Sequence, residues 1–464
     1  MSLSELRSEM WALSLFGGRL AAAELILFSV FLTDIVMLGY MSELSLSAAL
    51  LANALFVVVF VTALGFLQGA LPLASRYFKQ GRTLDFHGMV IMSCLQAVAL
   101  GVLVGIIFML FPVLLRLISY PVDLIAESWA YIAWVLPAYM LSMLYIAVRN
   151  AVIATGNSRG FMTLSFIALG LNAALNYLLG FGFSLGSFAF GGMGISGIGL
   201  ASSLGDCILF GGVVYLLFKN GFHPRHFPIS DMAGGINAVW RALRPYLAPT
   251  LAIGIPVGIV FFIDTTLFSV ALIIVGRHDV QGMAALAVIR EWSALAIMIP
   301  VGLSEAIVQR VAQATDRIID PDRFRILTTS ALYVSLIYTA VLAFIYFGLG
   351  INVPALFIVN DSAHPGLLAR LDDLALLALL APVTHSFVIC LSSILRGIMD
   401  VNTSLYATIA CYWGIGLGLT FLFVEYMRLG ADYALLAVVI GQAASAIWIG
   451  ARLRFQMRHN PAAI

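Results

Sequence analysis

Blocks of about 20 to 30 apolar residues, separated by short polar segments, make up most of this chain. A helix rises about 1.5 Å per residue, so a block of that length crosses the roughly 30 Å hydrocarbon core of a bilayer. Strands of a membrane barrel are shorter and alternate apolar with polar residues, which these blocks do not. The pattern therefore predicts an all-α integral membrane protein. Its twelve predicted spans lie near residues 15–40, 47–75, 88–118, 125–152, 160–182, 194–219, 245–276, 282–311, 326–350, 373–397, 403–427 and 432–453.

The longest polar connection, residues 220–244, falls between the sixth and seventh predicted spans. It predicts a cytoplasmic linker between an N-lobe of residues 1–219 and a C-lobe of residues 245–464. The two halves also resemble each other, because the segment around Gly65 matches the segment around Gly302. Six is an even number of spans, so both halves have the same orientation in the membrane. We therefore predict two pseudo-symmetric six-helix lobes around a central cleft.

Lysine and arginine are distributed unevenly between the two sets of connections. If the N-terminus lies inside the cell, 19 of the 24 fall in inner segments and four in outer segments. Positive residues concentrate on the cytoplasmic side of membrane proteins. We therefore predict a multi-pass protein of the bacterial inner membrane with both termini in the cytoplasm.

The composition agrees with a membrane protein and argues against several other classes. Hydrophobic residues make up 62% of the chain and charged residues 10%, against about 45–50% and 25% in soluble domains. The net charge is +1 and there is no basic patch of the kind that binds nucleic acid. The four cysteines each lie within a predicted span and are far apart, so we expect apolar packing rather than a metal site or a disulfide. They are Cys94, Cys207, Cys390 and Cys411.

Asp34 lies inside the first apolar block, Leu20–Tyr40. An ionised carboxylate in hydrocarbon costs several kcal/mol, so such a residue usually faces an aqueous cavity or a partner helix and handles protons or ions. It is about six residues from the outer end of its span, in the outer half of the membrane. The alternative is a structural acid that joins two helices. Glu24 is about 15 Å away along the same helix, nearer the cytoplasm.

Polar residues of the fifth and sixth spans are the expected partners of this acid. Asn172 and Asn176 are four residues apart and share one helical face, where their amide oxygens could accept from a protonated acid or coordinate a cation. The sixth span offers Ser202 and Ser203 beside glycines that allow close helix contact. Asp206 follows on the same helix, either as a second polar group or as a water-facing residue.

The second half carries its own polar residues inside apolar blocks. Asp264 lies in the seventh span, and Arg290 and Glu291 of the eighth span are its expected partners in a C-lobe site. His385 of the tenth span could titrate near physiological pH or simply bond to a neighbouring helix. Pro256 lacks a backbone donor, so the seventh span is predicted to bend there, as a hinge or as a static kink.

Motifs for nucleotide hydrolysis, zinc proteolysis and serine hydrolysis are absent from the sequence. Two acids inside apolar spans, one in each half, instead indicate a transporter coupled to an ion gradient. We therefore predict that the protein is not an enzyme and has no cofactor. The remote alternative is an integral membrane enzyme, which would need Asp264 and His385 within hydrogen-bond reach as acid and base.

Several segments of the sequence resemble one family of transporters, the multidrug and toxic compound extrusion (MATE) family. The resemblance covers nearly the whole chain and depends on the order and spacing of the segments rather than on any single one. The segments are TDIVMLGYMSELSLSAALLANALF, LQGALPLASRYFKQGR, LNAALNYLLGFG with GMGISGIGLAS, and LRGIMDVNT.

The resemblance implies a twelve-helix exporter that alternates between outward and inward openings and is driven by protons or sodium. It implies an N-lobe cation site of Asp34, Asn172 and Asn176, with Ser202 as a neighbour. The coupling ion, a proton or a sodium ion at Asp34, is then the only ion that the site needs.

The C-lobe departs from the family pattern. A subset of the family uses an acid at the position of Asp264. His385 stands where many sodium-coupled members have an acid, and Glu24 replaces a common glutamine. These replacements favour protons over sodium as the coupling ion.

The leading hypothesis is a secondary exporter of amphipathic or cationic organic molecules that works by cation antiport as a monomer in the bilayer. Asp34 would bind the coupling ion and release it in alternation. A second hypothesis is an exporter or flippase for one lipid or secreted metabolite, in which the acids shape the cavity instead. Efflux under imposed ion gradients distinguishes the two.

Overall fold

The structure is a computed structural model that describes residues 3–185, 188–222, 236–314, 321–350, 353–357 and 366–459 of the chain. Almost all of the described residues are helical. The α-helices are α1 (Leu3–Met41), α2 (Glu43–Leu67), α3 (Ala70–Lys79), α4 (Thr83–Met109), α5 (Phe111–Leu117), α6 (Val122–Ala154), α7 (Arg159–Leu175), α8 (Ile195–Lys219), α9 (Ile236–Gly276), α10 (Val280–Ala314), α11 (Pro321–Ala343), α12 (Leu367–Asp373), α13 (Ala375–Gly397), α14 (Val401–Thr408), α15 (Gly418–Thr420) and α16 (Ala431–His459). Wider π-helical turns cover Asn176–Phe181, Phe344–Gly348, Ile409–Leu417 and Phe421–Tyr426, and a 3₁₀ helix covers Val353–Phe357.

Twelve helical stretches of the described chain are long and apolar enough to cross a membrane. This confirms the predicted number of spans. Several helices extend beyond their apolar blocks, because helical hydrogen bonding continues into the charged segments that flank them. The first span, predicted from residue 15, belongs to a helix that begins at Leu3. That helix ends at Met41, where Ser42 caps the next one by accepting a 3.0 Å hydrogen bond from the Ser45 backbone.

A short β-hairpin connects the fifth and sixth spans and was not predicted from the sequence. Strand β1 (Phe183–Leu185) pairs antiparallel with β2 (Phe188–Phe190), so that Phe183 faces Phe190. Gly182 precedes the hairpin with a φ of +86°, and a Cβ there would overlap the Phe190 carbonyl oxygen. The hairpin therefore depends on glycine at this position.

The described helices group into two compact units. Unit 1 consists of Met1–Ala21 and Ile259–Ile464, and unit 2 consists of Ala22–Gly258. The predicted lobes differ from these units at two places. The start of α1 groups with the second half of the chain, and the start of α9 groups with the first half. The first helix of each half therefore contributes to both units.

In unit 2, the start of α9 packs closely on the end of α2. A Cβ on Gly69 would lie 2.6 Å from the Gly254 nitrogen and 2.8 Å from the Thr250 carbonyl oxygen, so the two backbones approach at a pair of glycines. Gln96 donates a 2.7 Å hydrogen bond to the Thr250 hydroxyl. Tyr246 donates a 2.9 Å hydrogen bond to Asp85. These contacts fix the start of α9 to α4 as well as α2.

In unit 1, the start of α1 packs on α10 in a similar way. A Cβ on Gly302 would overlap the backbone of Ala21, and one on Gly17 would lie 3.2 Å from Ala306 Cβ. Arg310 pairs with Glu9 across the same contact. The rest of the unit is held by a buried apolar cluster that joins α9, α10, α13 and α16. Its fully buried members include Val275, Leu286, Ile289, Ala378 and Leu435.

Helix α9 contains Pro245, Pro249 and Pro256, yet it is one continuous helix from Ile236 to Gly276. The division between the two units falls at Gly258–Ile259, two residues after Pro256. The predicted bend of this span therefore lies beside the point where α9 passes from one unit to the other.

The predicted linker, residues 220–244, lies partly outside the described residues, which exclude 223–235. Its last part is helical, because α9 already begins at Ile236.

Of the four cysteines, Cys390 and Cys411 are buried and Cys94 is half-buried, as expected for apolar packing. Cys207 is exposed on the membrane-spanning helix α8, and all four cysteines are free thiols, as predicted.

The glycine contact between α1 and α10 gives a stability prediction. Gly302→Ala places a methyl group against the Ala21 backbone, which cannot move aside as a flexible side chain could. We expect a loss of about 1–3 kcal/mol, measured as a lower midpoint of thermal unfolding in detergent.

Gly18→Ala is the matched control, because no atom lies within 4 Å of an added Cβ at this helical position. Alanine is the better helix former by about 0.5–1 kcal/mol, so this variant should be neutral or slightly more stable. Equal melting points for the two variants would contradict the close contact at Gly302.

Candidate functional site

Asp34 lies on α1 within unit 2 and is buried, with 6% of its surface exposed. Its two carboxylate oxygens have different partners. Asn176 Nδ2 donates a 2.6 Å hydrogen bond to Oδ1, and Ser202 Oγ donates a 3.0 Å hydrogen bond to Oδ2. Residues from three different spans thus meet at one carboxylate.

Asn172 and Asn176 form the second side of the site. Asn176 Nδ2 also donates to Asn172 Oδ1 at 3.2 Å, so the two amides lie on one face as their spacing predicts. Both side chains are buried, with 1% and 0% exposed. A π-helical turn begins at Asn176, where α7 ends. Such turns widen the helix locally and often occur at functional sites.

Ser202 reaches Asp34 because α8 packs closely on its neighbours at glycines. A Cβ on Gly197 would overlap the Leu179 carbonyl, and one on Gly199 would lie 2.8 Å from the Tyr131 carbonyl oxygen. Ser202 Oγ lies within 3.1 Å of the Ile198 carbonyl oxygen as well as within reach of Asp34. Ser203 points elsewhere and donates to the Trp134 carbonyl oxygen at 2.5 Å. The structure thus separates two serines that the sequence could not distinguish.

One polar atom of the site, the buried Asn176 Oδ1 acceptor, lacks a hydrogen-bond partner within the described part of the chain. No basic side chain among the described residues pairs with Asp34. The ion pairs found for other acids inside spans include those of Glu24 and Asp264. A carboxylate, amide oxygens and a hydroxyl are hard oxygen ligands, which suit a proton or an alkali cation rather than a transition metal. No group of three or more His, Cys, Asp and Glu side chains in the described ranges could hold a metal ion.

A second acid, Asp206, lies near this site in unit 2. Ser142 on α6 donates a short hydrogen bond to Asp206 Oδ2. Asp206 also interacts electrostatically with Asp34. The sequence left open whether Asp206 faces water, and the structure instead gives it a partner in the bundle.

In unit 1, His385 Nε2 lies 3.0 Å from Asp264 Oδ1, which joins α13 to α9. The histidine side chain is 10% exposed and the aspartate 29%. The expected pairing of Asp264 with Arg290 and Glu291 is not found among the described residues. Arg290 instead pairs with Glu291 at 2.7 Å, and both side chains are about 40% exposed. Because Arg290 and Glu291 are adjacent on one helix and accessible, their charges neutralise each other without a partner on another helix.

Glu24 also has a partner that sequence reasoning missed. It pairs with Arg149 of α6, whose side chain is 5% exposed. The Arg149 guanidinium in turn lies 5.6 Å from the centre of the Phe161 ring. Glu24 therefore belongs to a largely buried ion pair within unit 2.

Comparisons with known proteins agree along most of the chain. The chain is 24% identical over 429 residues to the probable multidrug resistance protein NorM of Brucella suis biovar 1, covering 90% of this chain and 84% of that protein. It is 25% identical over 468 residues to the multidrug resistance protein PmpM of Pseudomonas aeruginosa, covering 98% and 94%. Among solved structures, the eukaryotic MATE transporter AtDTX14 matches with a TM-score of 0.82 at 17% identity, over 98% of both chains. The last likeness confirms the fold.

The sequence model of one family, MatE, matches residues 20–178 and 256–422, well over half of the chain. Asp264 and His385 are within hydrogen-bond reach, as the enzyme alternative required, but the family is one of transporters and decides against that alternative. The chain therefore belongs to the MatE family, the multidrug and toxic compound extrusion family, and is an integral membrane transporter rather than an enzyme.

Proposed function

We propose that the protein is a secondary exporter of amphipathic or cationic organic molecules and that Asp34 binds its coupling cation. The observation that carries this proposal is the buried carboxylate of Asp34, held by Asn176 and Ser202, with no basic partner among the described residues. The relatives from Brucella suis and Pseudomonas aeruginosa, both named as multidrug resistance proteins, support a multidrug substrate range.

The surroundings of Asp34 favour an exchangeable positive charge. Two neutral donors stabilise the ionised carboxylate only in part, and burial makes the remaining cost several kcal/mol. A proton or a sodium ion removes that cost. A protonated carboxyl group could also donate to Asn176 Oδ1, the acceptor that lacks a partner within the described chain. Asp34 can thus exist in two states whose balance depends on the supply of cations.

Coupling follows because the coupling cation and a cationic substrate compete for the carboxylate of Asp34. A cation that binds Asp34 from outside neutralises the carboxylate, so a cationic substrate loses its electrostatic partner and leaves. The neutral site then favours return to the inward-facing state. Pro256 is a suitable hinge for this movement, because α9 passes from unit 2 to unit 1 two residues later.

Protons are the favoured coupling ion in this proposal. His385 and Asp264 form a pair at 3.0 Å, and His385 replaces the acid expected for sodium coupling. We propose that this pair assists the exchange of protons in unit 1 while Asp34 carries the main coupling step. The protein would work as a monomer in the bacterial inner membrane, with both termini in the cytoplasm and without a cofactor.

The Asp34→Asn variant tests the coupling role. The amide has nearly the same shape as the carboxylate but cannot ionise. We therefore expect the rate of substrate efflux to be the same with and without an imposed ion gradient. Ion-driven efflux from proteoliposomes should fall by at least about tenfold, equivalent to about 1.4 kcal/mol or more.

Asp123→Asn makes the same chemical change at an exposed position and should retain full efflux. Size-exclusion profiles and melting points of both variants report whether the protein is folded. Unchanged gradient-driven efflux by folded Asp34→Asn protein would rule out this role for Asp34.

The Ser202→Ala variant distinguishes protons from sodium. The Ser202 hydroxyl stabilises the ionised carboxylate, and a hydrogen bond to a charged group contributes about 1.5–3 kcal/mol, or about 12- to 160-fold in affinity. Without this donor Asp34 binds a proton more tightly, whereas a sodium ion would lose an oxygen ligand and bind more weakly. We expect half-maximal efflux at a proton concentration lower by about that factor.

Ser203→Ala is the matched control, because the neighbouring hydroxyl bonds to the Trp134 carbonyl oxygen instead of Asp34. Its ion dependence should equal that of the unsubstituted protein. A similar shift in both variants would show that the effect comes from helix packing rather than from the bond to Asp34.

Imposed gradients test the choice of ion directly. We expect an inward proton gradient, with the outside acidic, to drive efflux of organic cations from proteoliposomes about tenfold faster than an inward sodium gradient of equal size. Faster efflux under the sodium gradient would assign sodium to the site. A panel that contains neutral lipids as well as organic cations separates a multidrug exporter from a lipid exporter.

A further inference from the structure

Asp206 is a second acid inside an apolar helix of unit 2, and the proposed function does not use it. It lies in the middle of α8, within the sequence GIGLASSLGDCILF. Its carboxylate accepts a hydrogen bond from Ser142 Oγ on α6. An acid inside a membrane helix is costly unless it has a role, and a single hydroxyl donor does not offset the cost of an ionised carboxylate.

The position of Asp206 connects it to the coupling site. It follows Ser202 by four residues, so both side chains lie on one face of α8, about 6 Å apart along the helix axis. Ser202 donates to Asp34 at 3.0 Å, and Asp34 and Asp206 interact electrostatically. Two acids of one unit therefore lie along a common face of α8.

The groups that face this pair are almost all neutral. Tyr131 and Tyr139 of α6 are the titratable neighbours that interact with the pair electrostatically, Tyr131 with Asp34 and Tyr139 with Asp206. Helix α7 and the π-helical turn after it contribute the amides of Asn172 and Asn176 rather than charges. Within the described residues, no lysine, arginine or histidine pairs with either acid.

Two negative charges that interact inside a membrane protein cannot both be present at low cost. When one carboxyl group is protonated, the other ionises more easily, so the two groups titrate as a coupled pair. The same cluster contains the buried Asn176 Oδ1, an acceptor without a partner in the described chain, to which a proton donor could bond. A mobile proton fits these observations better than a fixed ion pair does.

We propose that Asp206, held by Ser142, is a second proton-exchanging carboxyl group of unit 2, whose ionisation is coupled to that of Asp34. This inference rests on the proposed role of Asp34. A proton that binds Asp34 leaves the remaining negative charge on Asp206, and a second proton neutralises the pair. Unit 2 therefore exchanges protons through two acids rather than one.

Infrared difference spectroscopy of the full-length protein in lipid nanodiscs tests the proposal. With carboxyl-¹³C-labelled aspartate, the band of protonated aspartate is recorded between about pH 5 and pH 9 in the unsubstituted protein, Asp34→Asn, Asp206→Asn and the double variant. We expect Asp34→Asn to retain a pH-dependent band that the double variant loses. In Asp206→Asn the Asp34 band should disappear at a lower pH, because a neighbouring negative charge is gone.

Ser142 provides a control that leaves both acids in place. Ser142→Ala removes the hydroxyl donor and should shift the frequency of the Asp206 band, while Ser142→Thr keeps the hydroxyl and should restore it. This pair of variants also covers the case in which Asp206→Asn does not fold. A purely structural role for Asp206 predicts no pH-dependent band that responds to Ser142.

The proposal is overturned if Asp34→Asn and the double variant give identical spectra, or if no aspartate band responds to Ser142→Ala. This failure can be distinguished from failure of the proposed function. If Asp34→Asn abolishes ion-driven efflux but the spectra show no Asp206 band, only the second site is wrong. If Asp34→Asn leaves efflux unchanged, the coupling role of Asp34 is wrong, whatever the spectra show.

Discussion

The cost of a charge in hydrocarbon is the constraint on which the rest of this structure depends. Inside the bilayer no water is available to solvate a carboxylate, so the protein must supply each partner from another helix. Asp34 illustrates this, since its two oxygens accept from Asn176 and Ser202, on two other spans. The same requirement places Ser142 on Asp206 and Arg149 on Glu24. The positions of the helices in unit 2 are therefore specified by polar bonds as well as by apolar packing.

Close helix contact makes those bonds short enough to form. Without a hydrophobic force between helices in lipid, small residues let backbones approach until dispersion and hydrogen bonds hold them. Glycines on α8 bring Ser202 towards Asp34, and glycines at Gly69 and Gly302 hold the starts of α9 and α1. Each of these two helices is anchored in one unit and continues into the other. Both helices are continuous at the residue where they pass from one unit to the other, and Pro256 of α9 lies two residues before that point.

The fold followed from the sequence because twelve apolar blocks in a membrane allow little except helices. Part of the site followed as well, since Asn172 and Asn176 had to share a face at a spacing of four residues. The partners of the other polar residues could not be inferred, because they are distant in sequence. Ser142 and Asp206 are 64 residues apart, and Arg149 and Glu24 are 125 apart. The pairing of Asp264 was wrongly assigned to Arg290 and Glu291, since proximity in the span order does not determine which side chains point inward.

The two units treat their intramembrane acids differently. In unit 2, Asp34 has only neutral hydrogen-bond donors among the described residues. In unit 1, Asp264 instead has a histidine partner, with His385 Nε2 3.0 Å from its Oδ1. Asp206, a second acid in unit 2, increases the contrast, because two like charges repel each other and no basic side chain among the described residues pairs with either of them. Pseudo-symmetric helices can thus hold their acids in different ways, with neutral donors in unit 2 and a histidine in unit 1.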